Sequence, residues 1–353
     1  MKKYFFFVAL ALAATFTFTA CSDSDDNGSK TSDIPTDLKV PGLMDDAGSF
    51  KGDGKPDFDN LVKILEAAGL DGGLATLVPT LIDFGTDGKG LMEIFDDFVG
   101  ASGKGKSAKF QDALSAIKGI ISTEEAGPRK VNLVKKLDFQ YVEFDYTCNN
   151  GKYSIKDFAD FDFQDAGALV YFKGLKDARI LAGKFIKGGI TSGDMTNYIS
   201  REWMVNKILI EATKSGNKAT VGGTFNTTNL IEIANELEDK HDIVISENDR
   251  NTLSALGSLE KIRFANNGRV SFFFTNKVYT GTWKWKNMSK GEITYKFDKS
   301  DMKNPLFQIE GNIVATMKLS KKTIEINASY TNDNKESYKI NSVFFVTPVK
   351  YVR

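Results

Sequence analysis

The chain has 353 residues; its 46 Lys plus Arg are balanced by 46 Asp plus Glu, and 41% of it is apolar. A neutral chain lacks the basic surplus that draws a protein to nucleic acid. With His241 as its one histidine it cannot build a histidine-rich metal site, and with only Cys21 and Cys148 it cannot be a disulfide scaffold.

Lys2 and Lys3 open the chain and an apolar run follows from Phe5 to Phe18. That run is short of the about 20 apolar residues that span a bilayer, and it fits the hydrophobic region of a secretory signal. It ends in Thr19-Ala20-Cys21, which resembles the lipobox of bacterial lipoproteins, with Phe18 where that motif usually carries Leu. The resemblance implies that residues 1–20 are a signal peptide and that Cys21 is acylated; the alternative is an ordinary signal peptide. Acyl chains on Cys21 would hold the protein to a membrane without a spanning helix and would leave Cys148 without a disulfide partner. Residues 21–55 read as an acidic tether too polar to fold. Its Ser-Asp-Ser-Asp-Asp start resembles the export tags of some outer-membrane lipoproteins, which implies an outer-membrane protein facing the medium, with a periplasm-facing protein or a plain spacer as alternatives.

Residues 56–190 form the next expected domain. Leu61, Ile64, Leu65 and Ala68 share a helical stripe closed by Gly69, and Leu74, Leu77, Val78, Leu81 and Ile82 suggest a second, broken at Pro79. Leu91, Ile94, Phe95 and Phe98 are spaced as a helix, as are Phe110, Leu114, Ile117 and Ile121, with Ser107 placed to cap the latter. Between these two lies GASGKGKS, residues 100–107, which fits the phosphate-loop pattern letter for letter. Such a loop needs a buried strand before it; here it reads as a connection between two helices, and no nucleotide is expected. The segments 52–60 and 83–90 carry Asp-Gly cores, but their ligand positions fall on residues such as Lys51 and Ile94, so both read as glycine turns and not as calcium loops.

From Lys136 the period changes to two. Leu137, Phe139 and Tyr141 alternate, then Val142, Phe144, Tyr146 and Cys148 on the other phase, as a bulge would produce. Asn149-Asn150-Gly151 marks a hairpin turn, after which an aromatic strand returns with Asp157, Asp160, Asp162 and Asp165, a row read as its solvated side. Residues 168–185 suggest a strand and then a helix. Cys148 reads as a small buried residue and His241 as a surface one; no base frames a nucleophile, no cofactor is expected, and the chain reads as non-enzymatic.

Residues 195–353 form the last expected domain. A first strand over 201–212, helices over 227–240 and 246–256, and then antiparallel strands with one wet face give about seven strands at regular spacing. The helices after the first strand, IRFANNGRVSFFF, VYTGTWKW with its Gly-x-Trp, and GEITYKF resemble the lipocalin-like, or calycin, barrels of bacterial lipoproteins. Lipocalins carry Gly-x-Trp on the first strand, whereas here that strand has Trp203 and the motif comes at Gly281–Trp283. The fold class expected is therefore α+β: a helical N-terminal region with a short antiparallel sheet, followed by a barrel. The resemblance implies a binding module. Phe272, Phe274, Trp283, Trp285, Tyr295 and Phe297 are the candidate interior residues for a small or lipid-like ligand, with simple core packing as the bland alternative. The rival function is an envelope adaptor that binds other proteins through its outer faces.

Overall fold

A computed structural model describes residues 48–348 apart from several stretches, the longest being 123–136 and 298–311. The expected signal peptide, Cys21 and most of the tether lie outside the described residues. The described chain is mostly β and divides into two compact units, one of residues 40–200 with 265–267 and one of 201–264 with 268–352.

The first unit opens with β1 (Gly48–Gly52), so folded structure begins within the expected tether. Phe50, alone among small and polar residues, is fully buried. Helix α1 (Phe58–Ala67) follows as its stripe predicts and ends at Gly69, whose φ of 73° and N–H bond to the Glu66 carbonyl close the last turn. The next two expected helices are replaced. A short 3-10 turn (Gly72–Leu77) leads into the hairpin β2 (Leu81–Phe84) and β3 (Lys89–Glu93), which turns at Gly88. Leu91 and Met92 point to opposite faces of β3 and both are buried. A strand covered on both faces loses its alternation, which is why its apolar residues imitate helical spacing. Strand β4 (Ser107–Lys109) precedes α2 (Phe110–Ser122), so Ser107 lies in a strand and does not cap the helix.

The sheet continues with β5 (Tyr141–Asn149), β6 (Lys152–Ile155), β7 (Ala159–Gln164), β8 (Gly167–Phe172) and β9 (Arg179–Lys187). Residues 168–185 are thus two strands, with no helix. Asn150 and Gly151, with φ of 52° and 78°, make the two-residue turn expected between β5 and β6. The bulge expected near Tyr141 takes the form of two successive amides, Gln140 and Tyr141, donating to the single Lys106 carbonyl. The strand order is β3-β2-β1-β9-β8-β7-β6-β5-β4, and β3 also pairs with β5, so the curled sheet meets its own far end.

Phe84 centres the core of this unit: its ring lies 4.6 Å from Tyr153, 4.9 Å from Tyr146 and 5.6 Å from both Phe144 and Phe163. The Tyr146 hydroxyl donates to the Gly85 carbonyl at 2.6 Å, which satisfies the one polar atom that this ring carries inward. Glycine is required at Gly90, which faces Phe144 across the ladder: a Cβ there would fall 2.0 Å from the Phe144 ring.

The second unit follows α3 (Asp194–Ile199). Its strands are β10 (Glu202–Lys214), β11 (Thr220–Phe225), β12 (Leu259–Phe264), β13 (Arg269–Phe274), β14 (Val278–Asn287), β15 (Glu292–Phe297), β16 (Asn312–Leu319), β17 (Thr323–Thr331) and β18 (Ser337–Pro348). β18 pairs back onto β10 from Trp203/Pro348 to Lys214/Tyr338, which closes β10 and β12–β18 into an eight-stranded antiparallel barrel consistent with lipocalin-like architecture. The sequence places the helical insertion after the first strand; the helices α4 (Leu230–His241) and α5 (Glu247–Leu256) instead follow the second strand, β11, whose two glycines gave no strand pattern. β11 lies along the second half of β10 while β12 takes its first three residues. Asn229 caps α4 by accepting from the Ile231 amide, and a bridge to Ser258 brings the start and end of the helical insertion together.

A Gly90→Ala substitution should destabilise the chain by about 1–3 kcal/mol, because the added methyl overpacks against Phe144. Gly69→Ala, which has open space but keeps a positive φ, should lose only about 1 kcal/mol. Urea denaturation with an unchanged slope checks both; equal midpoints would contradict the Phe144 contact.

Candidate functional site

On β14 the ladder fixes which side chains face the barrel interior. Tyr279 pairs with Phe272 on β13, and Trp283 and Trp285 pair with Tyr295 and Ile293 on β15. These residues share one face, while Thr282, Lys284 and Lys286 alternate with them and are exposed. Four of the six sequence candidates, Phe272, Trp283, Trp285 and Tyr295, therefore form one continuous inner wall. Phe274 shares the face but stands at the opposite end of the barrel, edge-on to Tyr279 with ring centroids 5.9 Å apart. Phe297 occupies the position opposite Gly281, and its side chain lies outside the described set.

Burial along this wall is graded. Tyr279 is 0% exposed and Trp283 5%, while Trp285 at the far end is only half-buried. Trp283 holds Trp285 edge-on at 5.5 Å and meets Phe264 edge-on at 5.8 Å. Large rings that sequence reasoning did not single out, among them Phe264, Tyr279 and Phe344, are fully buried. Trp203 joins them, carried inward by the first strand; its place in an alternating run beside Val205 was the available signal.

The wall's polar chemistry is sparse. Desolvation pushes the Tyr295 phenol well above its ordinary pKa near 10. Ser342 is buried on β18. On the outward face near the start of β10, Glu202 accepts from the Lys261 ammonium at 3.2 Å, both side chains being under a tenth exposed. The same ammonium lies 4.4 Å from the centre of the Phe273 ring. A charge so placed is held by its partners, and removing one of them would strand the other.

The remaining sequence motifs resolve into structure. Residues 100–106 arch beside the segment 137–140. The Gly105 amide donates to Gln140 Oε1 at 2.8 Å, the Lys106 ammonium meets Asp138 at 3.3 Å, and Ser107 Oγ donates to Glu143 at 3.1 Å. A short 3-10 turn (Asp96–Phe98) precedes the loop, where a phosphate cradle needs a strand, and its donors are turned to the chain itself. The aspartates of the expected acidic row do not converge. Asp157 sits in a turn with φ of 62°. Asp160 pairs with Lys173; burial would raise its carboxyl, but bonds from Lys173 and Ser154 and the nearby lysine charges hold it below the usual value. Among the described residues, no group of three or more His, Cys, Asp and Glu side chains is placed to hold a metal, and no helix is long and apolar enough to cross a membrane. Cys148 lies on the inward side of β5 and is half-buried; His241 is the last residue of α4.

Compared with known proteins, the chain matches no family model, no curated protein and no solved structure.

Because the folded state favours the neutral Tyr295 phenol, the stability this gives is complete below pH 10 and is lost as pH rises through 10 toward the higher folded value. Stability should therefore fall more steeply above pH 10 in the native sequence than in Tyr295→Phe. Denaturant midpoints across pH 8–11 check this, and parallel curves would contradict it.

Proposed function

We propose that the chain is a cell-envelope lipoprotein, held to the outer membrane by acyl chains on Cys21, whose C-terminal barrel binds one small apolar ligand at the end carrying Trp285. The single observation behind the binding reading is the graded inner wall, fully buried at Tyr279 and half-buried at Trp285. An eight-stranded barrel is just wide enough to be filled by its own side chains or to hold one small ligand. The fully buried rings Trp203, Phe264, Phe272 and Phe344 take up much of that width, so the ligand occupies only the Trp285 end. Recognition there is by rings and shape, with few polar groups, as in sites that select flat or aliphatic molecules. The anchor rests on the leader: the charged start, the apolar run from Phe5 to Phe18 and Thr19-Ala20-Cys21. Among the described residues no acid, base and nucleophile are brought together, and we read the barrel as a carrier or sensor.

Two measurements test these readings separately. Titrating the chain with laurate or with 1-anilinonaphthalene-8-sulfonate should quench tryptophan emission saturably at one equivalent. Trp285→Ala should weaken binding about tenfold, or roughly 1.4 kcal/mol. Absence of saturable binding, or an unchanged affinity in the variant, would overturn the binding reading. For the anchor, labelled palmitate should enter the native chain expressed in a bacterial host and should not enter Cys21→Ser; equal labelling would remove the anchor.

A further inference from the structure

Strand edges are where one sheet can be extended by another chain. Among the described residues only two strands pair along a single edge. One is the three-residue β4, which runs directly into α2. The other is β11, Thr220-Val221-Gly222-Gly223-Thr224-Phe225, which pairs with β10 from Ile208/Phe225 to Thr213/Thr220. Its second edge has no ladder partner among the described residues. Proteins usually guard such edges with charge, proline or a bulge. β11 has neither a charged residue nor a proline, and its ladder with β10 runs without a register shift. On the face of the sheet, a Cβ at Gly223 would meet nothing within 4 Å, so a side chain can be placed there without a clash.

We propose that β11 is the joining edge of a homodimer, in which two copies pair antiparallel about a two-fold axis at Gly223 and the sheet runs on from one barrel into the next. The register follows from the alternation of faces. Val221, Gly223 and Phe225 stand opposite Ala212, Ile210 and Ile208 of β10, and Thr220, Gly222 and Thr224 belong to the other face. Residues paired in an antiparallel ladder share a face, so a two-fold that keeps both barrels on the same side must be centred on a residue and not between two. Centring it on Gly223 sets Gly222 against Thr224 of the partner subunit and Val221 against Phe225 of the partner subunit. Apolar meets apolar, small meets small, and no charges are opposed. Six paired residues bury less than the about 1,200 Å² typical of stable complexes, so the dimer is weak and concentration-dependent.

The test uses the chain from residue 22 onward, which keeps every described residue. Sedimentation equilibrium should show monomer at low micromolar and dimer toward millimolar concentration; a monomer throughout overturns the proposal. In a Cys148→Ser background, Gly223→Cys faces its own copy across the axis and should form a disulfide-linked dimer under mild oxidation. Thr220→Cys, which faces residue 226 of the partner subunit, should link at least tenfold more slowly. Equal linking at both positions, or none at Gly223→Cys, overturns it, and circular dichroism matching the native chain shows that each variant is folded. Association through a different surface would give a dimer by sedimentation with no preference for Gly223→Cys, and that also counts against it.

Discussion

The ladder between β10 and β18 is the constraint on which the C-terminal unit depends. β10 is the longest strand and the first of its sheet, yet it pairs with the last, so a contact between residues more than a hundred positions apart decides whether the sheet is a ring or a ribbon. Once it forms, each of the eight barrel strands has neighbours on both sides and the alternation of side chains acquires an inside. A register slip of one residue would turn the whole row of rings outward. The irregularity between Val205 and Lys207 is therefore significant: it shifts the phase so that Trp203 and Val205 before it, and Ile208 and Ile210 after it, are all buried.

The same strand explains the unusual edge. A closed ring needs only one neighbour on each side of β10, but β12 occupies just Glu202–Met204 of its free side, leaving the later residues for β11. The helical insertion is the consequence: the chain must travel from the end of β11 to the start of β12, and α4 and α5 fill that path. Arg250 on α5 binds both Asn235 and Glu238 on α4, so the two helices hold each other. The bridge between Asn229 and Ser258 gathers the two ends of the excursion.

Much of the barrel was legible in the sequence because its strands have one wet side: Thr282, Lys284 and Lys286 alternate with Trp283 and Trp285, and the eye can follow them. The hairpin turn was equally clear, since Asn150 and Gly151 adopt the positive φ that their types allow. What failed did so for stated reasons. β2 and β3 are short and covered on both sides, so period two vanished and helical spacing appeared by coincidence. β1 has Phe50 as its single large apolar residue. β11 contributes two glycines and no strong pattern. Of the six candidates, Phe272, Trp283, Trp285 and Tyr295 lie along one inner face; Trp203, named only for its place on the first strand, and Tyr279 are fully buried as well, because burial depends on closure across distant strands. The phosphate-loop letters read as a connection and not as a nucleotide site, because a motif string carries no information about what precedes it; in the structure Gly105, Lys106 and Ser107 are bonded to their own chain.

The closure of the ring is best tested by nuclear Overhauser contacts between β10 and β18 in the labelled chain. The account predicts amide and Hα cross-peaks running from Met204/Thr347 to Thr213/Lys339, with the same intensity as those between β17 and β18. Strong β17–β18 contacts with none to β10 would show an open sheet, and the interior, its graded wall and the ligand reading would all fall with it.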